Sequence, residues 1–293
     1  MGATQQVLAS YGGAFVGPLD AYTANLAGAW SVARRLLGSY SGPLIRIRRT
    51  SDSTVQDIGA DVDGNLDTAA IATFVSSNSA YVTTVYHQNG GSDLVQTTAV
   101  SQPRIVNAGT VDMIGSVPAM VFDGTDDYMT CDPQNVDRVA LYAACRNGAS
   151  VGIYMSLYSQ PAAATWTGDY ARLLGRWLPG GNRWEVFTES GAYVAGRTPT
   201  GAVNTDYLLE QHYDQSNSMC AQNGSEGAGL AQTGNITDSS EDFIVGTYHL
   251  AGIADTNGLW RGYVGELLLW NEGLDSSARA VRRAIVNDYW SLY

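Results

Sequence analysis

Apolar and polar positions along this 293-residue chain alternate in short runs broken by turn residues. Residues 81–129 show the pattern best. Val, Thr and Tyr dominate residues 81–86, and Asn89-Gly90-Gly91 stops the run. Residues 104–106 and 119–122 follow, and Asp123-Gly124 turns the chain into residues 128–129. Strands a few residues long, closely spaced with turns between them, predict a β-sandwich or barrel. The rhythm continues beyond this block. Residues 44–49, 136–145, 151–158, 170–177, 183–187, 243–247 and 263–270 read as strands, and 207–213 with 218–221 as a hairpin. In residues 264–270 apolar side chains fall on both faces, which marks a strand covered on both sides.

Helical spacing appears in three places. In residues 20–39 the apolar positions Leu26, Ala29, Trp30, Ala33, Leu36 and Leu37 form one stripe, which Gly38 and then Ser41-Gly42-Pro43 end. Residues 66–75 read as a short helix with Leu66, Ala70, Ile71 and Phe74 on its buried side. Near the C-terminus, Asp275 or Ser276 is placed to cap a helix in which Ala278, Val281, Ile285, Tyr289 and Leu292 recur. Arg279, Arg282 and Arg283 fall on its wet side. No linker divides the chain. The expected organisation is one mainly-β domain over residues 20–293, with peripheral helices, preceded by an arm over residues 1–19.

Composition narrows the function classes. The 33 Gly against 8 Pro suit many tight turns rather than disordered linkers. All 16 basic residues are Arg, set against 28 acidic ones, for a net charge of −12. That argues against a general nucleic-acid binder, which needs a cationic stripe to displace counterions from phosphates. The one basic cluster, Arg46, Arg48 and Arg49, reads as a strand face paired with Asp52 and Asp57, or as a phosphate site. Cys131, Cys145 and Cys220 are too scattered for a disulfide framework or a zinc site, so buried free thiols and folding in a reducing cytoplasm are expected. The N-terminus has neither the basic nor the apolar segment of a secretory signal, and no apolar run approaches the ~20 residues of a bilayer span.

Three stretches carry a family resemblance. Residues 29–59 (AWSVARRLLGSYSGPLIRIRRTSDSTVQDIG) resemble the opening of phage LamG-like domains, and also the start of the catalytic domain of fungal α-L-arabinofuranosidase B. The second stretch comprises residues 82–89, Gln102-Pro103-Arg104-Ile105-Val106 and Phe122-Asp123-Gly124. Its first part usually reads tyrosine–aspartate–glutamine–serine–glycine in these families. Here it is Tyr86-His87-Gln88-Asn89-Gly90, so His87 stands at the acidic position. Residues 262–290 are similar to the final strand and closing helix of many LamG-like jelly rolls. The resemblance implies a concanavalin-like jelly-roll β-sandwich of the kind found in phage tail and virion proteins. It says less about activity, because function sits in loops grafted on a scaffold.

A retaining glycosidase needs two carboxyls about 5–5.5 Å apart, one as nucleophile and one as acid/base. The arabinofuranosidase resemblance implies Glu189, in Glu189-Ser190-Gly191, as nucleophile, and Asp255, in Asp255-Thr256-Asn257-Gly258, as acid/base. Turn residues on loop ends explain the same two positions. Tyr and Trp number 17 and 7 against 5 Phe. Trp166, Tyr170, Trp177, Trp184 and Tyr193 cluster in sequence, and such rings suit a glycan- or partner-binding surface or fill a core. Asp123, Asp126 and Asp127 surround a Gly turn whose oxygens suit Ca²⁺, though a plain hairpin explains them too. No other cofactor is expected.

The leading expectation is a phage virion or tail protein, an adhesin for host surface polysaccharide. It is made in the host cytoplasm, released by lysis, attached to other virion subunits through residues 1–17, and homo-oligomeric for avidity. The alternative is a glycoside hydrolase acting on arabinose-containing polysaccharide. A decoration protein without a ligand is the third reading.

Overall fold

The computed structural model describes residues 14–148, 155–161, 171–178, 183–188, 195–198, 200–236, 238–250, 253–254 and 258–293. Its strands pair antiparallel. One sheet runs through Asn217–Gln222, Asp206–Tyr213, Val139–Asn147 and Arg261–Trp270. This last strand is flanked at one end by Leu26–Ser31 and at the other by Met120–Asp123. The second sheet starts with Val55–Ile58, Ile45–Arg49, Ala80–Val85, Leu94–Val95 and Met129–Cys131. It continues through Phe243–Val245, Met155–Pro161, Ala171–Leu178, Arg183–Thr188 and Ala195–Arg197. Arg104–Asn107 pairs with a strand of each sheet and joins them. The mainly-β sandwich read from the sequence is the observed architecture.

Side chains alternate along the two long strands of the first sheet. Leu141, Ala143, Cys145, Leu267 and Leu269 enter the core between the sheets, together with Trp30, Trp177, Trp184 and Phe243. Ala140, Tyr142, Ala144, Leu268 and Trp270 join a second core, to which the C-terminal helix Ser276–Trp290 adds Val286 and Trp290. Residues 264–270 are apolar on both faces for this reason. The three cysteines are buried and free.

Two expectations are corrected. Residues 20–39 do not form a helix. A 3-10 turn, Asp20–Tyr22, leads into the strand Leu26–Ser31, which pairs with Arg261–Trp270. Ala29 faces the helix-side core and Trp30 the inter-sheet core. A strand that is apolar on both faces loses its period of two, and here the residue is an accidental helical stripe.

The C-terminal helix is capped by Asp275, whose Oδ1 accepts the Ala278 amide at 2.8 Å. Its buried face, however, is turned from the expected one. Val281 is 43% exposed, while Arg282 is buried, its guanidinium 3.9 Å from the Tyr22 ring centre. Arg283 donates to both oxygens of Glu210 at 2.6 and 3.0 Å, and Arg279 to both oxygens of Glu226 at 3.1 and 3.0 Å. Glu210 is fully buried. A buried carboxylate needs a partner, and that need turns the arginines inward. The shorter helix, Thr68–Val75, starts at its Asp67 cap and buries Ile71, Phe74 and Val75, close to expectation.

The motif Tyr86-His87-Gln88-Asn89-Gly90 acts as a clasp on residues 26–36. Gln88 Oε1 accepts the Leu36 amide at 2.7 Å, and its Nε2 donates to the Arg34 carbonyl at 3.0 Å. Asn89 Nδ2 donates to the Leu26 carbonyl at 3.1 Å. Trp30 Nε1 donates to the Ser92 carbonyl at 3.0 Å, and its ring stacks on Phe243. His87 fills the usual acidic position by doing an acceptor's work. Its Nδ1 accepts the amides of Asn89 (3.1 Å) and Gly91 (2.9 Å), and its Nε2 lies 3.0 Å from the Ala27 carbonyl. Nδ1 accepts two amides and so carries no proton, which places the proton of the neutral ring on Nε2, facing the Ala27 carbonyl, with the Ala29 amide 3.2 Å from the same nitrogen. Burial lowers the His87 pKa below its ordinary 6.5.

At another part of the core, Trp184 meets Trp177, Tyr207 and Trp260 at ring-centre distances of 5.6, 5.7 and 5.5 Å. All three tryptophans are fully buried.

Two outcomes are expected. A depressed folded-state pKa means that the His87 contribution to stability is complete above pH 6.5 and is lost as pH falls below it. Thermal unfolding between pH 5 and pH 8 (a window of about 1.5 units either side of the ordinary value) should show this loss. His87→Asp should fold and lose that component, while His87→Ala should cost about 1–3 kcal/mol at neutral pH through the orphaned amides. An unchanged pH profile in His87→Asp would contradict the clasp. Trp184→Ala should lower stability by about 3–5 kcal/mol in denaturant unfolding. A loss under about 1 kcal/mol would be typical of a surface ring instead.

Candidate functional site

The second sheet has a buried face turned away from the core. Leu173, Trp177, Trp184, Val186, Phe243 and Val245 belong to the inter-sheet core. Their alternating neighbours Leu174, Arg176, Glu185 and Ile244 therefore point to the opposite side. Ser156 pairs with Arg176, and Ser159 with Leu174 and Ile244, so both serines share that side. Ser156, Ser159, Leu174, Glu185 and Ile244 are all buried there. Glu185 sits between two guanidiniums, with Arg176 Nη2 at 3.0 Å and Arg183 Nη2 at 3.1 Å. Ser156 Oγ is buried without a hydrogen-bond partner. Ser159 Oγ donates to the Thr247 carbonyl at 2.9 Å, on the segment that leads into the short ladder His249–Leu250 with Ile253–Ala254.

Two described strands lead in sequence to the candidate catalytic segments. Glu189 follows Thr188 at the end of the strand Arg183–Thr188, and Asp255 follows Ala254 at the end of the ladder. Glu189 and Asp255 themselves lie outside the described residues, as do Trp166, Tyr170 and Tyr193. Trp177 and Trp184 are described, and they lie in the core at 0% exposure rather than on a surface. A correction follows for these two: hydrophobic burial and mutual ring packing take both rings away from any glycan. Glu185, Arg176 and Arg183 were missed from the sequence. The signal was present in Arg176-Trp177 and Trp184-Glu185, where a core ring alternates with a charge and the two charges oppose each other across the strands.

Asp123, Asp126 and Asp127 do come together, with one carboxylate oxygen of each within 4.8 Å of the others. The turn itself uses two of them. Asp123 Oδ1 accepts the Thr125 amide at 2.6 Å, and Asp127 Oδ2 accepts the Asp123 amide at 2.8 Å. Burial, followed by the charges of Asp123 and Asp126, pushes the Asp127 carboxyl up to about 7. The basic cluster has protein partners. Arg46 pairs with Asp57 and Arg49 with Asp52, while Arg48 donates to Gln102. Residues 14–19 are the described part of the expected arm, and there Gly17 donates its amide to Asp20.

Comparison with known proteins shows what this chain is similar to. Residues 18–131 match the family model described as "Alpha-L-arabinofuranosidase B, catalytic". A probable α-L-arabinofuranosidase B of Aspergillus fumigatus is 36% identical over 85 residues, covering 27% of this chain and 17% of that protein. The α-L-arabinofuranosidase B of Emericella nidulans is 35% identical over 85 residues, with the same shares. Among solved structures, an arabinofuranosidase complexed with arabinofuranosyl-α-1,2-xylobiose superposes with a TM-score of 0.67 and 17% identity, covering 92% of this chain and 65% of that one. A glutamate-to-glutamine mutant of a GH54 α-L-arabinofuranosidase soaked with 4-nitrophenyl α-L-arabinofuranoside gives 0.67 and 16%, covering 94% and 65%. The matched segment is thus under a fifth of the curated relatives' length. These similarities overturn the expectation of a phage tail adhesin located on a virion, because the matching family and relatives are arabinofuranosidases. The chain is similar to the arabinofuranosidase B catalytic domain over residues 18–131, and it shares the arabinofuranosidase fold over most of its length.

Proposed function

We propose that this chain is a retaining glycoside hydrolase that removes α-L-arabinofuranosyl groups, with Glu189 as nucleophile and Asp255 as acid/base. The observation that carries the reading is the match of residues 18–131 to the arabinofuranosidase B catalytic model. That segment contains the clasp around Gln88 and the strand Leu26–Ser31, which set the frame of the sandwich. The similar fold of a substrate-bound arabinofuranosidase supports the same reading.

In the first step the Glu189 carboxylate attacks the anomeric carbon. The glycosidic C–O bond breaks, and Asp255 gives its proton to the leaving oxygen. In the second step Asp255 takes a proton from water, the water oxygen attacks the anomeric carbon, and the bond to Glu189 breaks. Two inversions give net retention. The buried face with Glu185, Arg176 and Arg183 supports this arrangement as a rigid floor. Its paired charges hold the strand that ends one residue before Glu189.

Hydrolysis of 4-nitrophenyl α-L-arabinofuranoside tests the proposal. Glu189→Gln should lower kcat by on the order of 10³–10⁴-fold. Asp255→Asn should lose less on this substrate than on an alkyl arabinofuranoside, because nitrophenolate leaves without a proton. The α-anomer should form first when the product is followed by NMR. No hydrolysis by the native chain, or full activity in Glu189→Gln, would sink the assignment.

A further inference from the structure

The C-terminal helix meets the first sheet over a set of charges. Glu210, on the strand Asp206–Tyr213, is fully buried and accepts from Arg283 Nε and Nη2 at 2.6 and 3.0 Å. Glu226, on the short strand Ser225–Glu226, accepts from Arg279 Nε and Nη2 at 3.1 and 3.0 Å, and from Arg283 Nη2 at 3.0 Å. Two carboxylates thus face two guanidiniums. His212 completes the set, with its Nε2 3.1 Å from Glu210 Oε2.

The ring is neutral in this arrangement. The Glu210 carboxylate is an acceptor, so Nε2 carries the ring proton. Nδ1 is buried and bonds to nothing. Tyr142, from the strand Val139–Asn147, packs edge-on against the ring at 5.3 Å. Burial, aided by the charges of Arg279 and Arg283 on the helix, holds the His212 pKa below its ordinary 6.5, against the opposing pull of Glu210. Asp214 shares a small cleft with His212, but its Oδ1 is occupied by the amides of Ser216 and Asn217. Tyr293, at the chain end, adds an uncharged phenol near Glu210 and Arg283.

A second proton on the ring must sit on Nδ1, where it meets no acceptor. It also upsets the charge balance, because three cations then face two carboxylates. Protonated His212 can neutralise Glu210 by itself, which leaves Arg283 as a surplus cation in a place closed to water. A buried charge without its own partner is costly, and hydrating Arg283 relieves it. The sheet cannot open to do so, since the strand Asp206–Tyr213 is paired along both edges. The helix can. Its second half is fastened elsewhere, by Val286 and Trp290 in the core, by Tyr289 Oη donating to the Ala33 carbonyl at 2.9 Å, and by Arg34 at the Ile285 carbonyl. Its first two turns rest on Arg279, Arg282 and Arg283. Once lifted, so short a piece of helix unwinds, because it is unstable alone.

We propose that His212 is a proton-operated latch on this helix: when protonated it replaces Arg283 as the partner of Glu210, and residues 276–283 unwind from the sheet while the sandwich stays folded. The latch is independent of the hydrolase reading. In the lifted state the ring is hydrated and titrates at its ordinary value. Seating of the helix is therefore complete above pH 6.5 and weakens as pH falls below it.

Hydrogen exchange of the full chain, followed by NMR from pH 8 to pH 5 (about 1.5 units either side of the ordinary value), tests the latch. Protection factors of the amides of residues 280–283 should fall by about tenfold or more relative to those of Val139–Asn147. His212→Gln, which keeps a neutral donor for Glu210, should remove that fall. His87→Asp should leave it in place, which separates the latch from the clasp. In Arg283→Met the His212 ring becomes the counter-ion of Glu210 and should titrate at a higher pH than in the native chain. The proposal is overturned if the helix amides do not lose protection, or if helix and sheet lose it together. It is also overturned if the fall survives His212→Gln, or if Arg283→Met leaves the His212 titration unmoved. The native profile and the Arg283→Met titration keep the test decisive should His212→Gln fail to fold.

Discussion

Glu266 lies in the middle of the strand Arg261–Trp270, which is covered on both faces, and its carboxylate is fully buried. It is neutralised where it stands. Arg34 Nε and Nη2 donate to its two oxygens at 2.8 and 2.7 Å. The same guanidinium reaches the Ile285 carbonyl at 3.1 Å and stacks 4.3 Å from the Tyr289 ring centre. One buried pair therefore binds three elements that are distant in sequence: residues 31–36, the central strand and the C-terminal helix. A pair of this kind adds little net stability over an apolar equivalent, but losing one partner strands a buried charge, at about 3–5 kcal/mol. Residue 34 must accordingly be held in place. The clasp does so, since Gln88 Nε2 donates to the Arg34 carbonyl and Gln88 Oε1 accepts the Leu36 amide. Met120–Asp123 and Val139–Asn147 then take their register from the fixed central strand.

Much of this was legible in the sequence, and the misreadings have a common cause. Strands with one wet face and one dry face announce themselves by alternation. The central strand was recognised because its apolar run is long. Leu26–Ser31 is equally two-sided but short, and Ala29 with Trp30 on opposite cores leaves no period to read. The C-terminal helix was placed correctly and rotated wrongly. Arginine was assigned to solvent, yet the buried Glu210 pairs with Arg283 and the more exposed Glu226 with Arg279, which holds both guanidiniums against the sheet. Carboxylates remote in sequence leave no mark in a local hydrophobic pattern.

The candidate site was less legible than the fold. The segment that matches arabinofuranosidases, residues 18–131, contains the clasp and not the proposed catalytic pair. Its recognisable motif is recognisable because backbone amides need acceptors at fixed places. His87 satisfies two of them as an aspartate would, so the departure from the usual residue preserves the role. Aromatic residues misled for another reason. A Trp near a loop end reads the same whether its ring faces a ligand or the core, and only the charge that alternates with it, as in Trp184-Glu185, reveals the direction. In the core those rings tolerate unpartnered indole N–H groups at Trp177, Trp184 and Trp260. Edge-to-face contact at 69° between Trp177 and Trp184 directs the positive rim of one ring to the π face of the other.

The two outer faces of the sandwich meet the same demand in different ways. On the helix side, the buried carboxylates Glu210 and Glu266 each receive bidentate arginine pairing, and Arg282 is spent on the rings of Tyr22 and Trp270. On the other side, Glu185 is held by two arginines beside Ser156, whose hydroxyl has no partner. Saturated ion pairs rigidify both faces, because moving any member exposes a buried charge. A scaffold fixed in this way keeps its strand register through pairs formed among the described residues, and the proposed carboxylates Glu189 and Asp255 each follow the end of one of its strands. The stretch that matches the arabinofuranosidase B catalytic model, residues 18–131, supplies part of that charge-locked frame through Arg34.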